Sequence, residues 1–180
     1  MNVLSNRKVI RELFTNLTEN FHKENVEYWT DFGTLLGVKR DSDIIIGDND
    51  ADICIINTPE NIEKCKKVVD KMGGEYLDWG AFRVYQTSLG KKIFVDIYIP
   101  EIINNQYKNP TGELIDVNII HPIEKKSFKL GNNTIDIYVP QKIDLVLDNR
   151  YGKNWKIQKR KWYTFYFDFS KDFNFLSVKI

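Results

Sequence analysis

Four carboxylates gather in the stretch "DIIIGDNDADICII": Asp43, Asp48, Asp50 and Asp52. Asp50 and Asp52 stand two apart where an apolar run begins, so on a strand both project from the same face. A third candidate, Asp96, lies in "FVDIYI" between Val95 and Ile97, a strong strand pattern. Carboxylates that share one cleft repel each other unless something positive sits between them. A divalent cation meets that need, and Mg²⁺ takes carboxylate oxygens together with substrate phosphates. Two such ions roughly 4 Å apart clamp the attacking and leaving oxygens of a phosphoryl displacement. The pair Gly33-Thr34 supplies the complement. Glycine lets the backbone approach a phosphate closely, and the following N–H groups and hydroxyl can cradle it at the start of a short helix. These are the parts of a phosphoryl- or nucleotidyl-transfer site. Singly, each has a plainer reading: an Asp-x-Asp pair as a solvated turn or Ca²⁺ loop, Gly-Thr as a turn, a strand Asp on a solvent face. Their combination in this order is rarer.

Such a site needs strands to align the acids and helices to back them. Val9, Ile10, Leu13, Phe14, Leu17 and Phe21 recur at helical spacing from residue 5 to 25, with Ser5 as the expected N-cap. The strand "VEYWTDF", the Gly33-Thr34 turn, a short "LLGVKR" segment and the strand "ADICII" follow. Thr58-Pro59 starts a helix, lined by Ile62, Cys65, Val69 and Met72 and ended by Gly73-Gly74. Strands "FRVYQTS" and "KIFVDIYIP" flank a turn at Leu89-Gly90-Lys91. A polar loop over residues 104–112 leads to "LIDVNIIHP", and "FKLGNNTIDIYVP" reads as a hairpin turning at Asn132-Asn133. Pro140 is expected to start a last helix, "QKIDLVLDNRYG", capped by Gly152. The aromatic tail (Trp162, Tyr163, Phe165, Tyr166, Phe167, Phe169) should pack back on the domain or on a partner. The pattern is that of one mixed α/β or α+β domain without repeats or low-complexity linkers.

The bulk properties agree. The chain has 180 residues, enough for a single core and too few for two comfortable domains. Its 26 Lys and Arg nearly balance 25 Asp and Glu, so no overall basic field attracts polynucleotide, and no nucleic-acid partner is expected. The basic run "KNWKIQKRKW" reads first as a solvated face and second as a phosphate contact. Cys54 and Cys65 fall on apolar positions and read as buried thiols. His22 and His121 are isolated and read as structural. The N-terminus has no long apolar region and no run is long enough to span a membrane, so a cytoplasmic protein is expected.

The longer motif "DFGTLLGVKR…IIIGDNDADICI" is similar to the LicD family, whose pattern runs Asp-aromatic-Gly-Thr-Leu-Leu-Gly, a basic residue, then Ile-Pro-Trp-Asp-Asp-Asp-Ile-Asp. Downstream, "IIHPIEKKSFKLGNNTIDIYVPQKIDLVLDNRYGKNW" resembles that family's closing block of hairpin, "VP", helix and "YG" followed by Trp. The likeness covers residues 28–56 and 94–155 in collinear order. The family includes bacterial phosphocholine transferases, fukutin and fukutin-related protein. The resemblance implies a single nucleotidyltransferase-like domain over residues 1–180, a mixed β-sheet flanked by helices. Within it, residues 26–100 would form the catalytic core, 119–155 the closing hairpin–helix block and 156–180 the tail. It also implies Mg²⁺- or Mn²⁺-dependent transfer of a phospho-alcohol from a CDP-activated donor to a glycan hydroxyl, releasing CMP. Asp50 and Asp52 would hold the metal, with Asp48 a further ligand and Asp96 a ligand or the base for the acceptor hydroxyl. Gly33 and Thr34 would bind donor phosphates, while Lys39 and Arg40 would neutralise developing charge or lie solvated on the surface. Asp31 would orient the Gly-Thr turn or a substrate, Arg150 also matches a motif position, and Tyr151 would line the nucleotide side or pack in the core.

Two positions depart from the family pattern: Gly47 replaces its Trp and Asn49 its middle Asp. The chain also lacks the cysteine-rich insertion of some animal members. Two other readings compete: nucleotidyl transfer from an NTP, and a catalytically idle module that binds a nucleotide or partner. Retention of all three carboxylates speaks against the idle module, because a buried acid cluster without a counter-charge only destabilises the fold.

Overall fold

The computed structural model describes residues 3–88, 90–109 and 112–157, with side chains from residue 6 onward. Helix α1 (Val3–Lys23) leads to strand β1 (Tyr28–Thr30), helix α2 (Phe32–Asp41), strand β2 (Asp50–Ile55) and helix α3 (Pro59–Lys71). Strands β3 (Glu75–Leu77), β4 (Ala81–Ser88) and β5 (Lys91–Tyr98) complete a five-stranded sheet in the order β1-β2-β5-β4-β3. Only β2 and β5 run parallel, so the sheet is mixed. A three-stranded sheet follows, from β6 (Glu101–Ile103), β7 (Gln106–Lys108) and β8 (Leu114–Asp116). The short helix α4 (Val117–Ile120), the hairpin β9 (Ile123–Leu130) and β10 (Asn133–Pro140), and helix α5 (Ile143–Tyr151) close the described chain.

The alternation of β2, β4 and β5 decides what each sheet face does. Ala51, Ile53 and Ile55 on β2, Ile93, Val95 and Ile97 on β5, and Phe82 and Val84 on β4 are all buried and share one face. Helices α1 and α3 contact these strands, and Ile10, Phe14, Leu17, Cys65, Val68 and Val69 join the same apolar cluster. Burying one such aliphatic or aromatic side chain stabilises by roughly 1.5–3 kcal/mol. Both cysteines are buried, unpaired thiols. Thr58 caps α3 as its sequence requires, accepting from the Asn61 N–H, with Pro59 at the first position.

Several boundaries differ from expectation. Helix α1 begins at Val3, so Ser5 lies inside its first turn and is not the N-cap. The first strand shrinks to three residues because Phe32 already belongs to α2; Gly33-Thr34 is the first turn of that helix, at the short-helix start expected for it. The supposed polar loop carries the β6–β7 hairpin, turned by Asn104 and Asn105 at φ 50° and 62°. Positive φ at both central residues is the requirement of a hairpin turn of the primed type, which asparagine tolerates. In the later hairpin Asn133 pairs with Leu130, and the left-handed residue is Gly131 (φ 65°), not Asn132 or Asn133. Pro140 ends β10, and α5 begins only at Ile143; Gly152 caps it as expected. The histidines are packed: His22 Nε2 lies 3.0 Å from the Tyr28 hydroxyl and His121 Nε2 lies 2.6 Å from that of Tyr107. Among the described residues no helix is long and apolar enough to cross a membrane. The aromatic tail and the end of the basic run lie outside the described residues.

Candidate active site

The second face of the sheet carries the acids. Register places Asp52 beside Asp96 across the parallel β2–β5 pair, with Asp50 one repeat away beside Phe94. Asp48 approaches from the segment between α2 and β2. That segment is anchored by Asp43, which takes the Arg7 guanidinium at 3.0 Å and Arg11 at 2.7 and 2.9 Å. Asp43 is thus a structural anchor facing α1. At the first turn of α2, a Cβ built on Gly33 would lie 3.4 Å from Asp48 Oδ2 and 3.8 Å from Asp52 Oδ2. The missing side chain leaves a hollow against which both oxygens rest. Thr34, buried behind it, accepts the Asp52 N–H at 2.7 Å and locks α2 to β2.

Electrostatics mark this face. Burial, then the Asp50 charge, pushes the Asp48 carboxyl up to about 6. Burial, then Asp96, raises Asp50. Burial, followed by the charges of Asp50, Asp96, Asp31 and Asp48, raises Asp52 well above the usual carboxylate range. The acids of this face therefore repel one another, and burial adds to the cost of their charge. As the side chains stand, no three acidic, histidine or cysteine groups among the described residues converge tightly enough to enclose a metal ion. The donor set is nonetheless all carboxylate oxygen, which suits Mg²⁺ or Mn²⁺, and the hollow at Gly33 offers the room.

The remaining sequence candidates separate into two groups. Arg40 forks onto Asp41 at 2.8 Å through two nitrogens and lies near enough to Asp48 to lower its pKa. Tyr151 is 42% exposed, which removes the core reading. Burial of its hydroxyl end and the charges of Asp52 and Asp31 raise its phenol, so it stands at the site's edge. Lys39, by contrast, points away. It pairs with Asp144 at 3.3 Å and lines a groove of about 590 Å³ with Lys126, Gln141 and Lys142.

Asp31 and Arg150 lie behind the site. Asp31 is fully buried and accepts the Phe32 N–H at 2.7 Å, the Trp29 indole N–H at 2.9 Å and both arms of Arg150 at 2.7 and 2.6 Å. It therefore orients the start of α2 and has no surface to offer a substrate. Burial alone would lower the Arg150 guanidinium; the Asp31 charge overcomes this and raises it.

Four residues of this face escaped the sequence reading. Arg83 on β4 faces Asp96, donating to both its oxygens at 2.6 and 2.9 Å. Tyr98 donates to Asp52 Oδ1 at 3.4 Å and packs between Phe32 and Trp79. Phe32, under the Arg150 guanidinium at 3.9 Å, holds φ 50°, a strained value for a bulky residue and of a kind that gathers at functional sites. Arg83 was within reach: counting back from the Ser88–Lys91 pair at the Gly90 turn brings it opposite Asp96. The aromatic neighbours have no such local signal.

The sequence matches the family described as LicD/FKTN/FKRP, nucleotidyltransferase domain, over residues 25–177. The chain belongs to the LicD family. No curated protein matches it. Two solved structures of ANT(2'')-Ia are remotely similar. The solution structure of this antibiotic-resistance factor is 17% identical with a TM-score of 0.41, covering 56% of this chain and 52% of that one. The crystal structure in complex with adenylyl-2''-tobramycin is 18% identical with a TM-score of 0.38, covering 53% and 52%. This LicD-family chain thus spans about half the length of the solved structures it matches.

Proposed function

We propose that this LicD-family chain is a divalent-metal-dependent transferase that moves a phospho-alcohol, of the phosphocholine or ribitol-phosphate kind, from a CDP-activated donor to a glycan hydroxyl. One observation carries the reading: Asp50, Asp52 and Asp96 stand on one face of adjacent parallel strands, with Asp48 and the Gly33 hollow beside them. Asp48, Asp50, Asp52 and Asp96 would hold Mg²⁺ or Mn²⁺, which supplies charge neutralisation at the phosphates when bound. The α2 N-terminal turn at Gly33 approaches the donor diphosphate. In the transfer, the acceptor oxygen bonds to the phosphorus that bears the alcohol. The bond from that phosphorus to the bridging oxygen breaks, CMP departs with the electron pair, and a carboxylate of the cluster takes the acceptor proton. Thr34, Asp31 and Arg150 position these groups without touching substrate.

Thermal stabilisation by CDP-choline, CDP-ribitol, CDP-glycerol, CTP, ATP, UTP and GTP, each with and without Mg²⁺ or Mn²⁺, tests the proposal. A ligand that binds only the native state raises Tm according to its affinity. Metal-dependent stabilisation by a CDP-alcohol beyond that by CTP is expected and names the donor. Stabilisation by NTPs alone would replace the reading with nucleotidyl transfer, and no metal-dependent shift would leave only a binding module.

A further inference from the structure

Two arginine–carboxylate forks flank the site, and they differ in what they allow. Arg150 has a 6% exposed side chain and spans Asp31 and Glu113 at once, so it is fixed. Arg83 is 26% exposed, pairs among the described residues with Asp96, and sets its guanidinium carbon 4.0 Å from the centroid of the Phe94 ring. Phe94 shares the face and sits in register with Asp50. The Arg83 guanidinium is therefore a counter-ion built into the acid face at Asp96. The fork takes one lone pair on each Asp96 oxygen, so a divalent cation must compete with it for the same carboxylate. A cation bound at Asp96 would also stand beside a positive guanidinium, which it repels. The planar guanidinium presents paired donors that match a phosphate as well as a carboxylate.

Resting on the function proposed above, we propose that Arg83 is an exchanging counter-ion: it neutralises Asp96 in the metal-free site and passes to the donor phosphate when the metal takes Asp96. The Phe94 ring keeps the guanidinium seated during the exchange, and its partial exposure lets it turn outward without opening the apolar face.

The test is calorimetric titration of wild type, Arg83→Gln and Arg83→Lys with Mn²⁺ alone, then with CDP at saturating Mn²⁺. Removing the competing fork should tighten Mn²⁺ binding in Arg83→Gln by about tenfold, the worth of one charge-assisted hydrogen bond. The same variant should bind CDP about tenfold more weakly. Arg83→Lys, which keeps the charge but loses the fork, should move both affinities in the same directions by less, and carries the test if Arg83→Gln does not fold. Opposite signs in the two titrations are the signature, because a merely structural arginine would weaken both or neither. Wild-type Mn²⁺ binding with variants unchanged, or both affinities falling together, would overturn the exchange while leaving the transferase reading standing. Wild-type protein that binds no Mn²⁺ with or without CDP would overturn both.

Discussion

On β5, Ile93, Val95 and Ile97 turn to one side of the sheet, and Phe94, Asp96 and Tyr98 to the other. The first side is closed by α1 and α3 into an apolar core; the second gathers four carboxylates, an arginine fork and a strained phenylalanine. The same backbone thus carries stabilising contacts and mutually repelling charges one residue apart. The two-residue period of a strand makes this possible, since neither face intrudes on the other. Repulsion among the acids is tolerated because the apolar core on the opposite face stabilises the same strands, a usual trade between local strain and global stability.

If the faces divide the work in this way, substitutions should separate activity from stability. Asp52→Asn should cost the most, about a thousandfold in transfer rate, since metal-held charge stabilisation is worth several kcal/mol. In metal-free buffer its urea midpoint should equal or exceed that of wild type, because a desolvated, repelled carboxylate is neutralised. A marked fall in that midpoint would mean the acids hold the fold together, and the contrast between faces would collapse. Arg150→Met comes next. It strands the buried Asp31 charge and should cost about 3–5 kcal/mol in urea unfolding. Ile97→Val, beside Asp96 but on the apolar face, should cost about 1 kcal/mol of stability and leave kcat within about twofold. A kcat loss comparable to that of Asp52→Asn would show that the two faces are not independent.

The smallest effect concerns pH. Burial lowers the imidazoles of His22 and His121 below their ordinary 6.5, so the unfolded chain binds protons more readily than the folded one. Their contribution to stability is present above pH 6.5 and is lost as pH falls below it. Unfolding midpoints at about pH 7.5 and pH 5.5 should therefore diverge more for wild type than for His22→Gln. An equal divergence would show that His22 does not sense the folded state.

The parts of this arrangement visible in the sequence are those written locally. The Asp50–Asp52 spacing, the strand around Asp96 and the Thr58-Pro59 helix start each follow from a few adjacent residues. Three-residue strands such as β6 and β7 leave too little alternation to see, although Asn104-Asn105 was a usable turn signal. The direction of Lys39 depended on α2 continuing as a helix to Asp41, where adjacent positions face different neighbours and only Arg40 reaches the acids. The Asp31–Arg150 fork joins residues that no local pattern connects; only the family resemblance marked both.

That fork also bears on how the protein is made. Asp31 reaches its partner only when Arg150 is available, so a nascent chain carrying every carboxylate of the site still holds the start of α2 over an unmatched interior charge. Docking of α5, which carries Arg150, is therefore what neutralises the interior beneath the start of α2.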